Sequence, residues 1–313
     1  MTTMNVSKKP ILNLEQAIKQ YGLTIVGAKG TGKTNALMVI LHNIDAIPCV
    51  VDFATVHAFN LGSKFTVKFL NEKYLLRKPR INIDKPIIID ISQTTKPQAS
   101  EIIRELIKNE YYSRVHEVID NFKNGMEKRQ LNREWLVFCL EEAQTTIGKY
   151  LKSDSDLATA MAVGRNYKVG FIFVTQRLSE LNTALSERTA YLIGKVVGDN
   201  NIRKLSRLLG IPRKKLKFVE TLPRGQFLFY NGERIERLEF PKFNGSRASE
   251  IKRTIYKKKP KNKNLWQKLK DSFKSEQQED SEESNIYDLS EKDSDADIED
   301  DALIGEDLFG EDW

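Results

Sequence analysis

The sequence predicts an α/β fold, a largely parallel sheet covered by helices on both faces. Three observations carry the prediction. Apolar runs at residues 23–26, 49–53, 86–91, 135–140 and 169–174 lack polar alternation, as strands buried on both sides do. Segments with apolar residues every three or four positions lie between them, and such alternation is the mark of strands joined by crossover helices. A glycine-rich turn, GAKGTGKT at residues 27–34, joins the first of those strands to the first of those helices.

The elements follow in order. Leu14, Ala17, Ile18 and Tyr21 line one face of a short lead-in helix that stops at Gly22. After the strand at 23–26 and the glycine-rich turn, a helix covers 35–41, and the strand at 49–53 is closed by Asp52. A further strand is expected at 65–69, and the strong PIIIDI run at 86–91 contains Asp90. Both aspartates are expected to cap strand ends. Ile102, Ile103, Leu106, Ile107, Val115, Val118, Ile119 and Phe122 predict a helical segment over about 97–131, interrupted at Gly125. The strand at 135–140 is followed at once by Glu141 and Glu142, then a polar loop and a helix at 156–165. Residues 169–174 form a buried strand ending Thr175-Gln176-Arg177, and 191–197 form another. A helix at 199–209 stops at Gly210, a basic helix or turn spans 213–218, and strands at 226–230 and 234–240 are split by the hairpin signal Asn231-Gly232.

GAKGTGKT fits the pattern G-x-x-x-x-G-K-[ST] and has the required strand before it and helix after it. Gly27, Gly30 and Gly32 allow a tight backbone whose N–H groups, with those of Ala28, Lys29, Thr31 and Asn35, can face phosphate oxygens. The helix start adds its positive dipole end. Lys33 supplies a charge for the outer phosphates and Thr34 a hydroxyl for Mg2+. Glu141 is placed to hold a water on that ion, and Glu142 to orient or deprotonate the attacking water. Gln176, at the tip of a neighbouring strand, can sense a terminal phosphate. ATP and Mg2+ are the expected ligands.

With LVFCLEEAQ and GRNYKVGFIFVTQRLSEL, the glycine-rich turn resembles the HerA/FtsK superfamily of ring-forming DNA-pumping ATPases, and especially the compact viral genome-packaging ATPases. TLPRGQFLFYNG is similar to the strand that ends the family core. The resemblance covers residues 24–240 and implies a RecA-like/AAA-type P-loop NTPase fold. It also implies that Arg165, eleven positions before Gln176, is an arginine finger delivered to a neighbouring subunit in a hexamer or other ring. Many members carry aspartate where Glu141 stands. The expected function is an ATP-driven translocase of viral or plasmid double-stranded DNA. The alternatives are a conjugative coupling ATPase and a nucleotide-gated DNA-binding scaffold.

Charge agrees with a polyanion partner. The chain of 313 residues carries a formal charge of +7, but residues 275–313 hold 17 acidic side chains against Lys292 alone. Residues 1–274 therefore hold 49 basic against 26 acidic side chains, a net +23. Lys149 and Lys152, in the loop after Glu142, are candidates for contacting DNA. The expected organisation is a lead-in at 1–22, an ATPase domain at 23–243 with a helical insertion about 97–131, a basic segment at 244–274 and an acidic, disordered tail at 275–313. Leu303, Ile304, Leu308, Phe309 and Trp313 in the tail suit docking by a capsid, portal or relaxase-type protein. No apolar run reaches the length of a membrane span and no secretory signal is expected, so the sequence predicts a cytoplasmic protein. Cys49 and Cys139 fall inside apolar strands, which predicts buried, reduced thiols.

Overall fold

The computed structural model describes residues 9–53, 57, 61, 65–77, 81–124, 131, 133–147, 156–182, 189–232, 234–243 and 252–255. Ten strands form one sheet in the order β10-β9-β8-β7-β1-β6-β5-β2-β4-β3. These are β1 (Leu23–Val26), β2 (Ile47–Asp52), β3 (Thr66–Phe69), β4 (Ile87–Asp90), β5 (Leu136–Leu140), β6 (Val169–Thr175), β7 (Ala190–Ile193), β8 (Gln226–Tyr230), β9 (Ile235–Glu239) and β10 (Lys252–Ile255). The first seven run parallel and the last three antiparallel.

Helices α1 (Lys9–Gln20), α2 (Lys33–Asn43), α3 (Glu72–Arg77), α4 (Lys96–Lys123), α5 (Ala143–Thr146), α6 (Asp156–Val163), α7 (Asp199–Leu209) and α8 (Arg213–Leu216) connect the strands. The predicted fold class is observed, with three elements unforeseen: α3, the short α5 where a polar loop was expected, and β10 inside the expected basic segment. Leu14, Ala17 and Ile18 of α1 are buried as expected, but Tyr21 is exposed because the helix ends one residue before it. The long α4 is the crossover from β4 to β5, and the Gln98 side chain caps it by accepting the Thr95 N–H at 2.9 Å.

The core explains why these strands read as unbroken apolar runs. Leu23, Ile25, Val50, Ile88, Val137, Cys139, Ile172, Val174 and Leu192 lie in one cluster with Leu37, Ile40 and Leu41 of α2. Strands covered on both faces have no solvent side on which polar residues could alternate. Both cysteines are fully buried and unpaired, and burial pushes both thiols upward in pKa, away from the reactive thiolate.

Register fixes which ends meet. Val26 of β1 sits level with Thr175 on one side and Ile193 on the other, while Leu140 of β5 pairs with Phe173. The residues following β1, β5 and β6 therefore share one edge of the sheet, beyond the carboxyl ends of adjacent parallel strands. The chain enters β1 between strands that come much later in sequence, which is the crevice where open α/β sheets take ligands.

Candidate nucleotide site

The glycine-rich turn is tied at both ends to neighbouring strands. Gly27 N–H donates to the Thr175 carbonyl at 3.3 Å and Ala28 N–H to the Lys195 carbonyl at 2.6 Å. From behind, the Gly225 N–H donates to the Thr31 carbonyl at 3.0 Å, so the TLPRGQF segment buttresses the loop. Gly32 is the N-cap of α2 with φ 96°, a left-handed conformation that side chains rarely adopt. A Cβ on Gly27 would stand 2.8 Å from Thr31 Oγ1. The sequence folds this way because each tight point is a glycine.

Lys33 is buried, and its Nζ donates back across the loop to the Ala28 carbonyl at 3.0 Å. Burial pushes its pKa down, while the Glu142 and Glu141 carboxylates oppose the shift. A cation held under an arch of backbone amides is a phosphate cradle. Thr34 Oγ1 lies 3.3 Å from Glu141 Oε1, so the predicted pair, one from the start of α2 and one from the end of β5, does meet. A hydroxyl and a carboxylate side by side fit Mg2+, a hard octahedral cation that takes oxygen ligands and keeps several waters.

Glu142 is the backbone outlier of the site, with φ 47° and ψ 43° in a non-glycine residue. Side chains held in this region cluster where the surroundings enforce them and where the geometry serves a function. Here the turn aims the Glu142 carboxylate along the strand tips. The Gln176 amide donates to Oε1 and the Gln144 amide to Oε2. Thr175 Oγ1 donates to Gln144 Oε1 at 2.6 Å and accepts the Arg177 N–H at 3.1 Å. Gln144 was not anticipated from the sequence; two residues after Glu142, it closes a network that couples the β5 and β6 tips.

His57 is the second residue that sequence reasoning missed. It is fully buried, its Nε2 is 3.0 Å from Glu141 Oε1, and its backbone N–H donates to Asp52 Oδ2 at 2.7 Å. Burial pulls its pKa down, but Glu141 and Asp52 outweigh burial and the result is raised. Asp52 thus caps β2, as expected, and also anchors a partner of Glu141. Asp90 caps β4 by accepting the Ser92 N–H at 2.9 Å and the Ser92 hydroxyl at 2.6 Å.

Asn35 keeps its expected place at the loop, whereas Arg165 stands elsewhere. The Asn35 side chain is occupied, donating to the Pro241 carbonyl at 2.8 Å and accepting the Phe243 N–H at 2.8 Å, which leaves only its backbone N–H for a nucleotide. Arg165 lies in the exposed 3-10 turn Gly164–Tyr167 that precedes β6. Gln176 follows the same strand, so at a rise of about 3.3 Å per residue the two are separated by roughly 20 Å along it. Arg165 is not brought to its own chain's phosphate loop. Instead it lines an open groove with Glu15, Lys19, Gln20 and Trp135. Lys149 and Lys152 lie outside the described residues, as does the acidic tail.

No family model and no curated protein matches the chain. In backbone it is similar to a viral packaging NTPase. That protein is the genome packaging NTPase B204 from Sulfolobus turreted icosahedral virus 2, solved with AMPPCP, at 17% identity and a TM-score of 0.47 over 70% of this chain and 97% of that one. VirB4 of Thermoanaerobacter pseudethanolicus is similar at 12% identity and 0.44, over 72% and 90%. EssC (ATPases 2 and 3) from Geobacillus thermodenitrificans is similar at 12% and 0.44, over 71% and 39%. Among the described residues no helix is long and apolar enough to cross a membrane.

Proposed function

We propose that the chain is an ATP-hydrolysing translocase of double-stranded DNA that works as a homo-oligomeric ring, of the packaging kind that its motifs resemble. The observation that carries the proposal is the meeting of Lys33, Thr34, Glu141, Glu142 and Gln176 at three neighbouring strand tips. This set can bind a triphosphate and ready a water against it. The amides of the loop and Lys33 would hold the phosphates, and Thr34 with Glu141 would hold the magnesium ion. When bound, that ion would draw charge from the phosphate oxygens as the bond breaks.

The remaining steps belong to the chain's own groups. Glu142 takes the proton of the attacking water, its carboxylate aimed by Gln144 and Gln176. Gln176 shares that carboxylate and ends the strand that pairs with β1, so a change in phosphate occupancy alters its hydrogen bonding. Arg165, remote from this site, serves a neighbouring subunit, as the resemblance implies; a guanidinium contributes most where negative charge develops on the transferred phosphoryl group. Lys149 and Lys152 remain the proposed DNA contacts of the loop after Glu142.

Hydrolysis of ATP by the purified chain should rise several-fold on adding duplex DNA, with the rise shrinking as salt increases. A rate indifferent to DNA across a range of salt would remove the translocase reading while leaving the nucleotide site intact.

A further inference from the structure

Helices α7 and α8 divide their residues sharply by character. Together with the 3-10 turn Lys217–Thr221 that follows α8, they bury Ile202, Leu205, Leu209, Leu216 and Val219 and expose Arg203, Arg207, Arg213, Lys214, Lys215 and Lys217. Residues 199–220 contain seven basic side chains and two acidic ones. Asp199 is already engaged, at 3.2 Å from Arg203 and 3.7 Å from Arg213, an arrangement that links the starts of both helices. Arg207, Lys214, Lys215 and Lys217 have no carboxylate partner among the described residues. Like charges gathered on one rigid face repel one another, and a bound polyanion relieves the repulsion while releasing its counterions.

We propose that the α7–α8 face binds the phosphate backbone of duplex DNA. The inference deepens the translocase reading and rests on it for the choice of polyanion. Two observations take it beyond a solvated charge run. First, the face is fastened to the segment that follows Gln176. Asn201 Oδ1 accepts the Ser179 N–H at 3.0 Å, and Lys204 Nζ donates to the Leu181 carbonyl, so DNA held here bears on the chain a few residues from the site. Second, none of the exposed aromatic residues Tyr21, Phe69, Tyr112 and Phe122 lies in residues 199–220. Proteins that grip single strands stack bases on exposed aromatic rings; a face of cations without such a ring suits the backbone of a duplex.

The test uses the full chain and a fluorescein-labelled duplex followed by anisotropy. A triple variant, Lys214→Glu with Lys215→Glu and Lys217→Glu, is compared with an equal charge change at the exposed Lys68, Lys73 and Lys85 near the β3 edge of the sheet. The α8 triple should weaken binding at least tenfold and reduce the log–log salt slope by about 2 to 3, near the ~0.9 per phosphate contact expected of duplex DNA. The β3-edge triple should change affinity by no more than about threefold. Hydrolysis without DNA should match wild type in both, and replacement by Gln tests the same point should the Glu triple fail to fold. Equal losses in the two triples, unchanged binding by the α8 triple, or tighter binding of a single strand with the same number of phosphates would each overturn the proposal. The two readings separate cleanly. If DNA stimulates hydrolysis but the α8 triple still binds normally, this face is wrong and the translocase stands. If the α8 triple loses a DNA interaction that never altered hydrolysis, the face stands and the translocase falls.

Discussion

Replacing Glu142 by Gln should lower ATP turnover about a hundredfold to ten-thousandfold while nucleotide affinity stays near wild type, the range over which positioned general bases act. The substitution keeps the side chain's length and every residue of the phosphate loop, although Lys33 loses one of the two carboxylates that oppose its downward pKa shift. It replaces a carboxylate, which accepts the Gln144 and Gln176 amides and can take a proton, with an amide that cannot take one. Glutamine has the same Cβ as glutamate, so the left-handed backbone at residue 142 makes the same steric demand on both. Phosphate release in the steady state and fluorescent-nucleotide binding give kcat and affinity separately. A kcat within a few-fold of wild type would move the base to another residue; a parallel loss of affinity would make Glu142 a structural group. The same variant separates a motor from a nucleotide-gated scaffold, since only the motor needs turnover.

Arg114→Ala should give the largest loss of stability of any single substitution considered. Arg114 is 1% exposed, and its Nη1 donates to the Glu134 carbonyl at 2.9 Å and to the Tyr167 and Lys168 carbonyls at 3.4 Å each. Burial lowers its pKa to about 10, with the nearby Glu110 opposing the shift. Removing the guanidinium takes its donor from the Glu134 and Tyr167 carbonyls, leaves the Lys168 carbonyl with the Leu136 N–H and Glu110 with Arg133 at 3.7 Å, and opens a cavity beside α4. The cost should be about 3 kcal/mol, or roughly 6 to 12 °C in the melting temperature of a chain this size. Arg114→Met keeps volume and should fall between Ala and wild type, because it restores packing without satisfying the carbonyls. Urea titration reads the difference, and a change under about 0.5 kcal/mol for Ala would show that the carbonyls find water instead. Since Tyr167 and Lys168 belong to the turn that presents Arg165, hydrolysis should fall further than stability alone requires if Arg165 completes a neighbour's site.

What could be read from the sequence was what is written locally. The phosphate loop is one contiguous stretch whose glycines and lysine have fixed offsets, and the two-sided burial of β2, β4, β5 and β6 leaves its trace as unbroken apolar runs. Glu141 and Glu142 were visible because they follow such a run directly. His57 was not, since nothing in the spacing of the segment after β2 shows that Asp52 turns its backbone toward Glu141. Gln144 has no signature of its own; its role arises from strand β6 passing beside it. Asn35 directly follows the loop pattern and keeps the expected backbone N–H, while a contact more than two hundred residues away in sequence claims its side chain. Strand β3, on the sheet edge, is mostly exposed, and α3 is six residues long, so both carry weak periodicity. That Arg165 stands at the opposite end of β6 from Gln176 follows from strand length alone, and it makes a second subunit a requirement of the finger reading.

The central claim is that the loop at residues 27–34 holds a triphosphate for attack by water readied from the neighbouring strand. Its most direct measurement is ATP binding and hydrolysis by Lys33→Ala beside the wild-type chain, with circular dichroism to confirm the fold. The account predicts hydrolysis reduced to background and nucleotide affinity lowered at least tenfold, because the one buried cation over the loop is gone. Turnover that survives in Lys33→Ala at the wild-type rate would contradict it.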